Sequence, residues 1–332
     1  MRSIASIFSL VLMGFFSLTV AGNAQERLTV YTYDAFAAEW GPGPLLKAGF
    51  EKTCECTLDF VAADSSIGAL RKVQLEGAES EADIVLGLDS SLTAEAAATS
   101  LFAPHEIDLS GLEVPDGWQS DLFVPFDHGF FAFVYDKRRL DKVPASFRDL
   151  IAASDDLKIV IQDPRSSTPG LGLVLWIRNA YGNDAPAIWE GLAPHILTVA
   201  RSWSDAYALF LKGEADMVLS YTTSPAYHLI GEDDPNYDYA RFVEGHYAQI
   251  ESAGILSQSG NKDLARAFLT YLVSDEGQSF IPETNWMYPV RPIALPEGFA
   301  EFPAPATVLL FNDEAAHANG AEWSQEALNA LR

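Results

Sequence analysis

Apolar and polar positions in the first part of the chain alternate between strand spacing and helix spacing. Leu28 to Tyr33 alternates and is rich in β-forming residues, which predicts a first strand. The pattern then predicts a helix through Leu45 to Phe50, a strand at Thr57 to Ala62, a helix at Ile67 to Leu75 and a short apolar strand at Ala82 to Gly87. This β-α-β-α-β order predicts a doubly wound α/β lobe.

A second region of the sequence resembles the end of that unit. Leu75 to Gly87 and Leu211 to Ser220 each end a helix, continue through Gly and enter a buried strand. Two lobes of similar topology explain the similarity, and coincidence between common helix–strand junctions is the alternative. A chain of 332 residues also exceeds the usual size of a single core, which favours two lobes.

Two long β-rich segments are expected to connect the lobes. Phe123 to Tyr135 is longer than one lobe's strand requires, so we expect it to cross between lobes, with Glu244 to Leu256 as the return crossing. The first lobe is then predicted to contain residues 25–127 and about 250–290, and the second lobe residues 128–249. Residues 291–332 form a C-terminal segment whose lobe the pattern does not decide.

Two further helices follow the second crossing. Apolar residues recur at helical spacing from Leu264 to Val273, with Asn261 as the expected N-cap. The last helix is predicted around Trp323 to Leu331.

The first 24 residues are predicted to be a signal peptide. Arg2 precedes an apolar run from Ile4 to Val20, and small residues stand at a possible cleavage site before Ala24. A membrane anchor is the alternative, but the apolar run is short for a span. We therefore expect an exported protein.

Charge and cysteine content narrow the class of partner. The formal net charge is −25, which argues against nucleic acid and anionic lipid as partners and favours a cationic ligand or simply solubility. Cys54 and Cys56 are the only cysteines. In an oxidising compartment we expect them to be oxidised together, with a reactive thiol as the alternative.

Residues Ser166 to Gly172 contain the most specific chemical motif. Thr168 is expected as an N-cap and Pro169 as the first helical residue, so that the N–H groups of Gly170, Leu171 and Gly172 face outward. Such a helix start binds phosphate or carboxylate. An ordinary capped helix is the alternative.

Aromatic and hydroxyl side chains follow several predicted strands. Trp203 lies in a capping-box sequence, Tyr221 and Tyr227 lie in a loop after a buried strand, and Trp286 lies in another loop. Ligands bind at the carboxyl ends of strands in α/β proteins, so these residues predict a site for a flat polar ligand.

Catalytic motifs are missing from the sequence. It contains no GxSxG, HExxH or GxxxxGK[ST] pattern, and the six histidines have no metal-ligand spacing. His128, His228 and His246 are interpreted as surface or core residues. We therefore expect no enzyme activity, no cofactor and no metal site.

Several long segments together resemble the periplasmic thiamine-binding proteins of ABC importers. The resemblance runs from about Leu28 to Val290. It is carried by these segments: YTYDAFAAEWGPGP, ADIVLGLD, VPFDHGFFAFVYDK, QDPRSSTPGLGLVLW, WSDAYALFLKGEADMVLSYTTSPAYH, EGHY and NWMYPV. It implies the class II periplasmic binding protein fold, in which two α/β lobes joined by crossover strands close on a ligand. It also implies that thiamine, thiamine monophosphate and thiamine pyrophosphate are ligands and that a membrane permease is the partner. We expect a monomer.

The resemblance also implies particular site residues. The family's acidic contact is followed by Gly, whereas this chain has Asp64, Ser65 and Ser66, so the residue that takes the contact is open. Ser167 matches the phosphate contact. The aromatic contacts match Tyr33, Trp203, Tyr221, Tyr227 and Trp286.

Two other functions compete with this interpretation. A ferric-ion or other small-solute binding protein of the same fold would typically use adjacent tyrosines, and the sequence has no Tyr-Tyr pair. A thiaminase-like enzyme would use a cysteine in the cleft, whereas both cysteines lie just before the second predicted strand.

Overall fold

The computed structural model describes residues 26–332, so the predicted signal peptide lies outside the described residues. The strands are β1 (Arg27–Tyr33), β2 (Thr57–Ala63), β3 (Ile84–Asp89), β4 (Phe102–Ala103), β5 (Phe123–Asp136), β6 (Ile159–Gln162), β7 (Ile196–Ala200), β8 (Met217–Tyr221), β9 (Tyr237–Tyr239), β10 (His246–Leu256), β11 (Tyr288–Pro289) and β12 (Val308–Leu309). The helices are α1 (Asp34–Ala37), α2 (Gly43–Cys54), α3 (Ser66–Glu76), α4 (Thr93–Ala98), α5 (Phe147–Ile151), α6 (Thr168–Tyr181), α7 (Ala185–Leu192), α8 (Trp203–Leu211), α9 (Ser224–Ala226), α10 (Lys262–Leu272), α11 (Asp275–Thr284) and α12 (Asp313–Ala330).

The sheet has two halves with the same strand order. In the first half β1 lies between β2 and β3, and these three strands are parallel. In the second half β6 lies between β7 and β8, again in parallel. Helices follow the strands in both halves, as parallel connections require. The predicted similarity between the two halves is therefore confirmed at the level of topology.

Strands β5 and β10 connect the two halves, as predicted. Phe123 to Phe130 of β5 pair antiparallel with β10, whereas Phe131 to Tyr135 pair antiparallel with β8. Strand β10 begins beside Phe131, whose carbonyl oxygen lies 2.7 Å from Nδ1 of His246, and its later residues pair with β3. The lobe boundaries themselves stay a prediction.

Each half has its own apolar core. Leu28, Leu58 and Phe268 are fully buried in the first half. In the second half, Trp176 is fully buried against Phe133, and its Nε1 donates to the carbonyl oxygen of Gly245 (3.0 Å). Burying a large apolar side chain contributes roughly 2 kcal/mol, so both halves have substantial cores of their own.

The C-terminal helix is longer than the sequence pattern indicates. Helix α12 begins at Asp313, with Oδ1 of Asn312 accepting a hydrogen bond from the N–H of Ala315 (2.8 Å). The predicted start near Trp323 was wrong, because the first turns carry few large apolar residues. Trp323 packs against the core of the second half, and Asp313 contacts the hydroxyl of Thr93 in the first half.

Cys54 and Cys56 form a disulfide, as predicted. Glu55 between them has φ of 53°, a left-handed conformation that is common where a helix ends. The bridge joins the end of α2 to the start of β2. Among residues 26–332, no helix is both long enough and apolar enough to cross a membrane.

Candidate functional site

A cavity of about 540 Å³ lies between the two halves. The carboxyl ends of β1 and β8, the loop after β2 and the starts of α6 and α8 contribute to its walls, which is where α/β folds bind ligands. All nine residues that the sequence predicts for the site line this cavity: Tyr33, Asp64, Ser65, Ser66, Ser167, Trp203, Tyr221, Tyr227 and Trp286. Their contact with a ligand stays a prediction.

The ring of Tyr33 is held at the cavity by its neighbours. Gly87 has φ of +96°, and a Cβ at Gly87 would lie 2.5 Å from Cδ1 of Tyr33. Only glycine therefore permits both this backbone conformation and this ring position. The hydroxyl of Tyr33 donates to Oε2 of Glu251 (2.8 Å), which fixes the orientation of the ring.

Trp203 provides one aromatic wall. The Ser202 hydroxyl oxygen accepts from the N–H of Asp205 (3.1 Å), so the predicted cap of α8 is confirmed. The Trp203 ring stacks on Tyr207 with centroids 4.8 Å apart, and its Nε1 donates to Oγ of Ser220 (2.9 Å). These contacts hold a half-buried indole face against the cavity.

Tyr227 and Trp286 form another aromatic wall. Their ring centroids are 5.5 Å apart with an interplanar angle of 68°, an edge-to-face arrangement. Trp286 has φ of 56°, a left-handed conformation that costs a non-glycine residue about 1 kcal/mol or more. Thr223 donates from its hydroxyl to the carbonyl oxygen of Trp286 (2.5 Å) and stabilises this backbone.

The start of helix α6 differs from the prediction. Ser167 is the N-cap and Thr168 is the first helical residue, because Ser167 is extended while its carbonyl oxygen accepts the first helical hydrogen bond. The predicted cap at Thr168 was therefore wrong. The N–H of Leu171 donates to the carbonyl oxygen of Ser167 (3.1 Å), so it is not open to a ligand.

The glycines of this motif serve helix packing. A Cβ at Gly170 would lie 2.5 Å from the carbonyl oxygen of Gln162, and a Cβ at Gly172 would lie 2.0 Å from the Phe131 ring. Ser167 remains the polar group of interest. It is 1% exposed, lines the cavity, and its hydroxyl has no hydrogen-bond partner within residues 26–332. A buried hydroxyl at a cavity without a partner is suited to a ligand.

The three residues from Asp64 to Ser66 make different contacts in the structure. Ser65 is the N-cap of α3, and its Oγ accepts from the N–H of Gly68 (3.0 Å). Asp64 pairs with Arg201 of the other half (3.1 Å), and both side chains are exposed. An exposed pair of this kind contributes about 0–1 kcal/mol. Ser66 is buried at the cavity wall.

The charged side chains that line the cavity are all acidic. They are Asp34, Asp64, Glu251 and Glu283, and within the described chain no lysine, arginine or histidine lines the cavity. This distribution favours a cation as the ligand.

Glu251 is the most deeply placed of these acids. Burial is the main cause that raises its pKa to about 7, and Asp127 beside it has a pKa well above the usual range for the same reason and because of the Glu251 charge. Asp89 on β3 is also buried, which raises its pKa to about 6. The acids beneath the cavity therefore hold protons more strongly than carboxyl groups in water.

Sequence reasoning missed Trp40, Glu251 and Asn285, which also line the cavity. Trp40 is 57% exposed at the cavity edge and precedes a Gly-Pro-Gly-Pro turn, a signal that was available. Glu251 is a single acid within the apolar strand β10, and a lone acid in a buried strand is a recognisable signal.

Three histidines, His128, His228 and His246, pack into the fold. His228 and His246 are almost fully inaccessible, and His128 stacks on Tyr288 with ring centroids 5.5 Å apart. Burial lowers the pKa of His128 to about 4. Within residues 26–332, no cluster of three or more His, Cys, Asp or Glu side chains has the geometry to hold a metal ion.

Comparison with known protein families identifies the family to which this chain belongs. Residues 28–279 match the family of bacterial extracellular solute-binding proteins, and the chain belongs to this family. The predicted α/β class II binding-protein fold is confirmed, with crossover strands joining two parallel units.

The chain is also similar over almost its whole length to individual proteins of known description. The chain is 49% identical to the thiamine-binding periplasmic protein of Escherichia coli K12 over 308 residues, 93% of this chain and 94% of the relative. It is 44% identical to the protein of the same description from Brucella abortus over 327 residues, 98% of each chain. A solved periplasmic thiamin binding protein superposes with a TM-score of 0.91 at 47% identity, covering 98% of this chain and 100% of that one. The predicted resemblance and periplasmic location are confirmed.

Proposed function

We propose that this periplasmic solute-binding protein binds thiamine, thiamine monophosphate and thiamine pyrophosphate and delivers them to the permease of an ABC importer. The observation that carries the proposal is a cavity with aromatic walls whose charged side chains are all acidic. The names of the relatives at 44% and 49% identity point to the same ligand.

The chemistry of thiamine suits this cavity. Its thiazolium ring carries a fixed positive charge in a flat ring, and aromatic faces attract such a cation by about 0.5–2 kcal/mol each. Trp203, Tyr227 and Trp286 offer such faces. The acidic side chains add a favourable potential without an opposing cation at the cavity wall.

The alternative ferric function lacks free phenolates. Tyr221 donates its hydroxyl to Oε1 of Gln249 (2.9 Å), and Tyr227 donates its hydroxyl to Oε1 of Glu232 (2.9 Å). Burial, followed by the Glu251 charge, raises the pKa of Tyr221 well above its ordinary value. Coordination of iron would have to break these bonds and remove these protons.

The alternative thiaminase-like function would require a cysteine in the cleft, and no cysteine of residues 26–332 lines the cavity. Cys54 and Cys56 are bonded to each other, and neither lines the cavity. We propose that the protein binds its ligand without chemistry and has no cofactor.

Titration of the purified protein with thiamine tests the proposed function. Tryptophan fluorescence should change and saturate at one thiamine per chain, because Trp203 and Trp286 line the cavity. Ferric salt should produce no coloured complex, and the thiamine should be recovered intact. Saturable iron binding without a response to thiamine would contradict the proposal, and so would release of the pyrimidine product.

Ser167 should distinguish the phosphate ester from free thiamine. Its hydroxyl is unpartnered at the cavity, and the helix start beside it favours negative charge. Ser167→Ala should weaken thiamine monophosphate more than thiamine, by about 1 kcal/mol or more, since a hydrogen bond to a charged group contributes at least as much as an ordinary one. Parallel calorimetric titrations of both ligands measure the difference.

Ser202→Ala is the matched control for that experiment. Ser202 caps α8 with its hydroxyl, so its loss should lower stability by about 1 kcal/mol without selecting between the two ligands. Ser167 makes no capping bond, and Ser167→Ala should leave stability nearly unchanged. An equal loss of both ligands in Ser167→Ala would show that Ser167 does not contact the phosphate.

Ligand binding should close the two halves of a monomer around β5 and β10. The Asp64–Arg201 pair (3.1 Å) connects the two halves beside the cavity. Small-angle scattering should show a smaller radius of gyration with saturating thiamine, at the mass of one chain. Identical profiles with and without ligand would contradict hinge closure, and a dimer mass would contradict the monomer.

A further inference from the structure

Two acidic side chains meet where the crossover strands pair. Glu251 of β10 lies directly opposite Asp127 of β5 in the antiparallel register. Glu251 is 5% exposed and Asp127 is 0% exposed. Glu251 also lines the cavity, so the pair lies where strands β5 and β10 meet the cavity.

Hydrogen bonds hold both carboxyl groups in place. Oε2 of Glu251 accepts from the hydroxyl of Tyr33 (2.8 Å), and Oε1 accepts from Nε2 of Gln249 (3.2 Å). Oδ2 of Asp127 accepts from Nδ2 of Asn285 (2.6 Å). These bonds are not ionic, so neither carboxyl group is neutralised by them.

Within residues 26–332, no positively charged side chain faces the pair from the elements that surround it. The titratable and polar groups that face it are Tyr33 from β1, Asp89 from β3, Tyr221 from β8, Gln249 from β10 and Asn285 from the loop after α11. Asp89 adds negative potential, which raises the pKa of Glu251 further. The positive charge that the pair lacks must come from a proton or from a ligand.

A shared proton explains the contact between the two carboxyl groups. They are neighbours in the register, and Nδ2 of Asn285 lies 2.6 Å from Oδ2 of Asp127 and 3.4 Å from Oε2 of Glu251. Two carboxyl groups held this close to a single donor attract each other only when a proton lies between them. Oδ1 of Asp127 receives no N–H or O–H donor from residues 26–332. The geometry therefore favours a proton held between the two carboxyl groups.

This proton makes stability depend on pH in a definite direction. Burial raises the pKa of Glu251 from 4.5 to about 7, so the folded state binds more protons than the unfolded state between these values. Stability therefore falls as pH rises through this window. A cation in the cavity would reverse the preference, because it favours the ionised pair.

We propose that Glu251 and Asp127 form a proton-sharing pair that recognises the positive charge of the ligand, and that the ligand cation displaces their proton into solvent when it binds. The inference rests on the proposed function, since the thiazolium ring supplies the charge. Only the carboxyl O–H bond changes in this step, and its electron pair stays on the carboxylate oxygen. The carboxyl O–H bond ionises, the proton passes to buffer, and the ligand cation takes its place as the neutralising charge.

The pair would thereby act as a specificity determinant. An uncharged molecule of the same shape cannot neutralise the negative charge of two ionised carboxylates. Such a molecule must therefore bind while the pair keeps its shared proton. The cation gains the attraction of a second negative charge in a site of low dielectric constant. Preference for the cation should therefore increase from about pH 6 to about pH 8, as the proton becomes easier to displace.

Calorimetry in two buffers of different ionisation enthalpy at about pH 7 measures protons released per ligand bound. We compare thiamine with its neutral analogue, in which a thiophene replaces the thiazolium ring. Both ligands carry the same aminopyrimidine ring. Any proton that this ring takes up or releases on binding therefore contributes equally to the two measurements, and the difference between them reports on the protein. The wild-type protein should release a substantial fraction of one proton more with thiamine than with the analogue, and the variants Glu251→Gln and Asp127→Asn should release none in excess.

Affinity gives an independent result in the same titrations. Glu251→Gln should reduce the preference for thiamine over the neutral analogue by about tenfold, mostly through weaker thiamine binding. Equal proton release for both ligands in the wild-type protein would overturn the inference while leaving thiamine binding intact. Failure of thiamine to bind the wild-type protein would overturn the proposed function and the inference with it. The wild-type comparison requires no variant to fold.

Discussion

Replacing Trp203 by alanine should weaken thiamine binding at least about tenfold, a loss of about 1.4 kcal/mol or more. The indole lies at the cavity, stacked on Tyr207 and fixed by its bond to Ser220, so its face is already oriented for the thiazolium ring. Alanine removes both the aromatic face and the apolar area that the ligand covers. Fluorescence or calorimetric titration measures the dissociation constant.

Trp203→Phe is the matched variant for this experiment. Phenylalanine keeps an aromatic face but loses the Nε1 bond to Ser220, so it should lose less affinity than alanine. Thermal unfolding of both variants shows whether the fold is intact. A folded Trp203→Ala protein with an unchanged dissociation constant would remove Trp203 from the site.

Replacing Trp286 should produce a second large loss, and the choice of replacement separates binding from folding. Trp286→Ala and Trp286→Gly both delete the ring that meets Tyr227, and each should weaken thiamine at least about tenfold. Because residue 286 is left-handed, glycine should be more stable there than alanine by about 1 kcal/mol. Thermal or denaturant unfolding measures this difference.

The two Trp286 variants should therefore agree in affinity and differ in stability. If alanine bound much more weakly than glycine, the loss would come from a distorted loop and not from the missing ring. If both variants bound thiamine like the wild-type protein, Trp286 would not belong to the ligand site.

Much of the fold could be predicted because its strongest signals are local. The uninterrupted β-rich run in β5 is too long for one half of the sheet, and the structure shows it paired with both β10 and β8. The junction before β8 repeats the junction before β3, which indicated two similar units. The start of α12 could not be predicted, because Ala, His and Asn in its first turns give no apolar periodicity.

Details of the site depend on contacts that sequence patterns do not contain. Ser167 and Thr168 are both good capping residues, and only the bond from the Leu171 N–H to the carbonyl oxygen of Ser167 shows which one precedes the helix. Asp64 and Arg201 are far apart in sequence and meet beside the cavity. The resemblance to a known family supplied the aromatic residues, because single aromatic side chains are otherwise typical of a core.

The paired acids illustrate the same limit. Glu251 and Asp127 are each visible as an acid within an apolar strand, but their contact depends on the register between β5 and β10. A shift by one residue would turn one of them to the other face of the sheet. Register is fixed by the packing of the whole sheet, so the pair becomes visible only in the folded structure.

A crystal structure of the protein with thiamine monophosphate tests the central claim most directly. The account predicts one ligand in the cavity between the halves, with its thiazolium ring against the aromatic walls above Glu251 and its phosphate within hydrogen-bonding distance of the Ser167 hydroxyl. A ligand bound outside this cavity, or one whose thiazolium ring lies away from the aromatic and acidic side chains, would contradict it.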